Sequence, residues 1–177
     1  DAEEMVAEEV ATPLPMIIPG HIIEGGGTIL AAPPGGAKSW MLMLMAQSIQ
    51  HGSRVLWNLE YRRNVLLINL ERSATSVRRR LSMVNKVLGL PYNAPLVIIN
   101  ARGRSMADII TSATRVKRDR KIDVVMLDSI SRAGAGKLVE DTTANSITDQ
   151  LNGLCGTWCA ISHTSKTDSN HVFGSIH

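Results

Sequence analysis

The chain has 177 residues, 44% of them hydrophobic and 20% charged, proportions that read as globular rather than disordered and suit one domain with a substantial core. A formal charge of +3 permits an acidic partner such as nucleic acid without demanding one, and 3% aromatic residues leave little for a base-stacking platform. No apolar run reaches about 18 residues, so no membrane span is expected.

The first dozen residues read as an acidic lead without the basic start of a signal peptide. Pro13 and Pro15 break any helix there, so residues 1–20 are set apart from a core over 21–177. Gly25, Gly26 and Gly27 bound a short apolar run, Thr28 to Ala32, which predicts a buried strand. After the stretch APPGGAKS, the uninterrupted apolar segment KSWMLMLMAQSIQHG predicts a long helix closing at Gly52, with its methionines as core filler. NVLLINLE predicts a second strand, ending at Glu71. In SATSVRRRLSMVNKVLG, residues Val77, Leu81, Val84 and Leu88 share one helical face and Gly89 ends the helix, while Arg78 to Arg80 read as a solvated face.

PLVIIN is a third strand. SMADIITSATRVKRD opens with Ser105 and Asp108 at capping-box spacing and carries a stripe of Met106, Ile109, Ile110, Ala113 and Val116. IDVVMLDS, Ile122 to Asp128, is the fourth strand; NSITDQLNGL is a short helix with Ile147, Leu151 and Leu154 inward; TWCAISHT is the fifth strand. Cys155 and Cys159 form neither a disulfide framework nor a complete zinc site, and read as buried thiols that suit a reducing cytoplasm. Strands alternating with helices predict an α/β fold, a mainly parallel sheet with helices on both faces.

The loop carries the chemistry. Aligned on Lys38 and Ser39, APPGGAKS matches the phosphate-loop pattern G-x-x-x-x-G-K-[ST] with alanines, Ala32 and Ala37, in place of both glycines. A strand leads in and a helix leads out, so backbone N–H groups and the helix dipole would face an anion there. Pro34, Gly35, Gly36, Ala37, Lys38, Ser39 and Trp40 are the candidate nucleotide-contacting residues. Lys38 would reach the terminal phosphates and the Ser39 hydroxyl would bind Mg²⁺. Ala37 is the departure, because alanine tolerates positive φ badly. A glycine-containing turn with a chance Lys-Ser pair is the competing reading.

Asp128 closes a buried strand, where a carboxylate is costly unless it faces a cation or donors, although strand-ending aspartates also serve as caps. In a parallel sheet the strand ends meet at one edge, so Lys38, Ser39, Glu71 and Asp128 are expected to converge. His21, His51, His171 and His177 show no metal-ligand spacing.

The order APPGGAKS, LLINLE, VVMLDS, AISHTSK, FGSIH resembles RecA-type ATPases. The resemblance is closest to the plasmid RepA-type hexameric helicases and related phage and mobile-element ATPases, with DnaB-type helicases further off. It implies a RecA-like P-loop core, with ATP and Mg²⁺ as cofactors and hydrolysis coupled to movement on nucleic acid, single-stranded DNA above all, by a homo-oligomeric ring of hexamer type. It implies that Glu71 is the catalytic base, Asp128 the Mg²⁺-holding aspartate and His163 the sensor of the γ-phosphate. Lys166 would be the loop residue that in some relatives reaches a neighbour's nucleotide. Nucleic acid would meet the loops after the fourth and fifth strands, with Arg132 and Lys137 as candidate contacts. As residues alone, His163 also fits a capping or core histidine, Lys166 a solvated lysine, and the first of these loops, with Glu140 and Asp141, an ordinary connection. RecA-type cores continue past GSIH with further strands, so this core is expected to be C-terminally incomplete. Two other readings stand beside the helicase: a regulator or loader of the same fold, and a nucleotide-binding scaffold whose Ala32 and Ala37 record weakened catalysis.

Overall fold

A computed structural model describes residues 15–133 and 141–164. The acidic lead before Pro15, Lys137, Lys166, His171 and the FGSIH segment lie outside the described residues.

The chain opens with a hairpin, β1 (Met16–Ile18) and β2 (Ile22–Ile23), then runs through β3 (Gly27–Ala32), α1 (Lys38–His51), β4 (Val65–Asn69), α2 (Ala74–Val87) and β5 (Val97–Asn100). α3 (Met106–Asp119), β6 (Val124–Asp128), α4 (Ile130–Ala133), α5 (Asp141–Leu154) and β7 (Trp158–His163) follow. Strands β3, β7, β6, β4 and β5 lie side by side in that order, and every pairing is parallel. The α/β class with a parallel sheet, read from alternation alone, is the fold observed.

Side-chain alternation divides the core in two. Val65 and Leu67 of β4 and Val124 and Met126 of β6 face one layer with α1 and α2. Leu66 and Ile68, with Val125 and Leu127, face the other, with α3, α4 and α5. α1 is apolar nearly all round because it lies between the sheet, α2 and the hairpin. Met43 and Met45 fill that space, while Met41 is 44% exposed. The Ser105–Asp108 capping box forms as the spacing predicts, with both reciprocal bonds present. Cys155 and Cys159 are free and buried, and burial pushes the Cys159 thiol up to about 12.

Four expectations need correction. Thr28 to Ala32 are not a fully buried strand: among the described residues β3 is the end strand of the sheet, and Ile29 is 45% exposed. The division at residue 20 falls inside the β1–β2 hairpin, whose Ile17, Ile18 and Ile22 are core residues. The second strand stops at Asn69, so Glu71 stands two residues beyond it in a bend. α5 begins at Asp141, earlier than the apolar spacing of 147, 151 and 154 indicates. Gly27 is fixed by packing, since a Cβ there would come within 2.2 Å of the Trp158 ring.

Candidate nucleotide site

The loop after β3, the start of α1, the bend after β4, α2 and the end of β7 line a cleft of about 280 Å³. Its floor is the loop between β3 and α1. Gly35 turns at φ +86°. A Cβ on Gly36 would meet Ala32 Cβ and the Pro33 carbonyl at 3.1 Å each, so a side chain there would crowd the loop. Ala37 sits at φ 57°, ψ 12°, left-handed backbone that costs a non-glycine residue about 1–2 kcal/mol. The sequence therefore places alanine at a left-handed position directly before the helix.

The loop also limits its own donors. The Gly36 N–H donates to Pro33 O at 3.1 Å and the Ala37 N–H to Gly35 O at 2.9 Å. The Trp40 and Met41 N–H groups already reach Ala37 O. That leaves the first-turn N–H groups of Lys38 and Ser39 as the ones a helix cannot satisfy internally. Lys38 is 8% exposed, and its Nζ donates to Pro33 O at 2.8 Å and to Ala32 O. Burial lowers its pKa, opposed by the charges of Glu71 and Asp128.

Asp128 does not line the wall of the cleft. It is 6% exposed and interacts with the Ser39 hydroxyl and with Glu71. Burial pushes its carboxyl up to about 6; Ser39 and Arg72 pull it back, and the Glu71 carboxylate pushes the same way as burial. Its Oδ1 is buried without a hydrogen-bond partner. An orphaned carboxylate oxygen beside a serine hydroxyl and a second carboxylate is a donor set that fits a hard divalent cation such as Mg²⁺.

Glu71 reaches the cleft from the bend after β4, and Asn69 sets that bend. The Asn69 side chain accepts from the Arg72 N–H at 3.1 Å and donates to Arg72 O at 2.7 Å. Asn100, at the end of β5, meets the same amide. The bend is tied to Asp128 as well, through Leu70 N–H to Asp128 O at 2.8 Å.

His163 ends β7 on the cleft wall, paired in register with Ala32. Burial lowers its pKa, and the positive charges of Lys38 and Arg132 add to the effect against Glu71. Both effects favour the neutral imidazole, and its Nδ1 is buried and without a partner. Arg132 is exposed on α4, which occupies the start of what the sequence suggests is a connecting loop.

The structure thus brings together Pro34 to Trp40, Glu71, Asp128 and His163. It adds two residues that sequence reasoning missed, Arg72 and Arg80, both lining the cleft. Arg78 and Arg79 are exposed as expected, but Arg80 is not part of that solvated face. The signal was present: Arg80 lies three residues after Val77 and four before Val84, on the buried stripe of α2.

A family model described as an AAA domain matches residues 4–169 of the chain. No curated protein matches it. Among the described residues, no helix is long and apolar enough to cross a membrane.

Proposed function

Given that the chain belongs to the AAA domain family, a P-loop ATPase family, we propose that its cleft hydrolyses ATP and that hydrolysis drives movement on nucleic acid. The observation that carries the first part is the meeting of Lys38, Ser39, Glu71 and Asp128 at one sheet edge, with Asp128 Oδ1 buried and unpartnered. Ser39 and Asp128 would hold Mg²⁺, which when bound supplies positive charge to the phosphate oxygens.

The chain's own groups do the rest. The Lys38 and Ser39 N–H groups and the Lys38 ammonium bind phosphate oxygens. Lys38 must exchange its Ala32 and Pro33 carbonyl partners for them. Glu71 takes the proton of a water as the water oxygen bonds to the γ-phosphorus; the bond from that phosphorus to the β,γ-bridging oxygen breaks, leaving ADP and phosphate. His163, at the end of β7 and beside Lys38, is a hydrogen-bonding group at the terminal-phosphate end and carries the state of the cleft to the loop that follows β7. The finer reading, a helicase-like ring of identical subunits moving on single-stranded DNA, rests on the motif order and on Arg132 beside the His163 wall. We read residues 21–177, joined by β1 of the hairpin, as the ATPase core of a cytoplasmic protein.

The left-handed Ala37 supports a second reading, a nucleotide-binding scaffold with weakened catalysis, and an ATPase regulator or loader of the same fold stands beside it. Mg²⁺-dependent ATP turnover with and without single-stranded DNA separates them. Turnover that rises with DNA supports the helicase reading. DNA-independent turnover favours the regulator or loader, and absent turnover favours the scaffold.

A further inference from the structure

Arg80 enters the cleft from a helix whose neighbouring arginines turn outward. Its position on the stripe between Val77 and Val84 brings the side chain over α1, and there its guanidinium lies over the Trp40 ring, 4.6 Å from the centroid. Trp40 is the third residue of α1, so its backbone belongs to the phosphate-facing turn while its ring reaches towards α2. Arg80 Nη1 is buried and has no hydrogen-bond partner.

The charges that Arg80 feels are those of Arg72, Asp128 and Glu71, which puts it at the carboxylate end of the cleft. A long cationic side chain next to a second arginine, with buried unpaired donors, would ordinarily swing out to water. The indole face opposes that: it attracts the flat face of a guanidinium and leaves the N–H edge unused. That edge is the part that matches phosphate oxygens. Three cations, Lys38, Arg72 and Arg80, line the cleft against one lining carboxylate, Glu71, with Asp128 behind Ser39. The third phosphate of a nucleotide adds negative charge at that end.

We propose that Trp40 is a positioning residue that holds the Arg80 guanidinium edge-on to the terminal phosphate, and that this pair makes the site prefer nucleoside triphosphate over diphosphate. The proposal rests on the nucleotide-binding reading above.

The test is calorimetric titration with Mg·ADP and with a non-hydrolysable Mg·ATP analogue, on the parent, Trp40→Leu, Trp40→Phe, Arg80→Gln and the Trp40→Leu/Arg80→Gln double variant. Arg80→Gln and Trp40→Leu should each lose roughly three- to thirtyfold in triphosphate affinity while diphosphate affinity holds within about twofold. That retained affinity also shows that the variants fold. The double variant should be no weaker than the worse single one, because the two residues act as a unit. Trp40→Phe, which keeps a ring face, should retain more of the preference than Trp40→Leu. Indole fluorescence of the parent should change on triphosphate binding, and the change should vanish in Trp40→Phe. Equal loss of both nucleotides, additive effects in the double variant, or an unchanged preference in Arg80→Gln would overturn the proposal and leave the nucleotide reading standing. A parent that binds neither nucleotide overturns both.

Discussion

Asn69 holds Arg72 by both polar groups of its backbone, accepting from the N–H at 3.1 Å and donating to the carbonyl at 2.7 Å. Glu71 is the residue immediately before the one clasped. A proposed catalytic base that stands off its strand has no ladder bonds of its own, so its position depends on this clasp and on Leu70 N–H to Asp128 O. The Asn69 side of the clasp is buried, at 2% exposed, while Arg72 is half-buried.

Asn69→Ala should therefore act on chemistry more than on binding. Lys38 and the loop remain, so KM for ATP should change little, while kcat falls because Glu71 is no longer held. The lost buried hydrogen bonds should also cost about 1–3 kcal/mol of stability. Steady-state kinetics and urea unfolding check both. A raised KM with unchanged kcat would show that the clasp does not serve Glu71.

Ala37→Gly should stabilise the protein. Left-handed backbone costs alanine about 1–2 kcal/mol, and glycine's freer unfolded chain returns about 0.4–1 of that. The net gain lies between about 0 and 1.6 kcal/mol, centred near about 0.8 kcal/mol, and is read as a shifted urea midpoint. Relief of strain already present in the free protein does not by itself tighten nucleotide binding. ATP affinity should rise only to the extent that the loop is strained further on binding, so the two measurements separate strain in the fold from strain in the site. No gain in stability would mean that the loop relaxes around Ala37.

Asp128 gives a pH dependence with a definite sign. Its carboxyl moves from 3.8 to about 6 on folding, so between those values the folded state binds the extra proton. Its contribution therefore favours folding at low pH and is lost as pH rises through 6. The ionised carboxylate costs about 3 kcal/mol at pH 8 and about half that at pH 5. Asp128→Asn should recover that cost, so its stability advantage should be larger at pH 8 than at pH 5, while Mg²⁺-dependent turnover is lost. Urea unfolding at the two pH values measures the first effect and an ATPase assay the second. A destabilised variant at pH 8 would mean that the buried carboxylate is satisfied by partners in the fold.

Much of this architecture was legible in the sequence because its signals are local. The apolar run closing at Gly52, the Ser105–Asp108 box and the buried strand of VVMLD each state their structure within a few residues. The β1–β2 hairpin was hidden because strands of three and two residues carry no periodicity, and Pro13 and Pro15 read only as helix breakers. Arg80 was hidden by its neighbours: a run of three arginines reads as a solvated face, although the spacing from Val77 places only the last on the stripe. Glu71 was read as strand because LLINLE is apolar almost to its end. Asn69, which ends the strand, has its role only through Arg72 and Asn100, a relationship fixed by folding.

The most direct measurement of the central claim is ATP turnover with Mg²⁺ by the parent and by Glu71→Gln, with ATP binding measured on both. If this cleft is an ATPase site with Glu71 as its base, the parent releases phosphate only when Mg²⁺ is present. Glu71→Gln should then bind ATP comparably and turn over at least about tenfold more slowly, a barrier increase of about 1.4 kcal/mol or more. Equal turnover in the two proteins, or none in a parent that binds ATP, would contradict it.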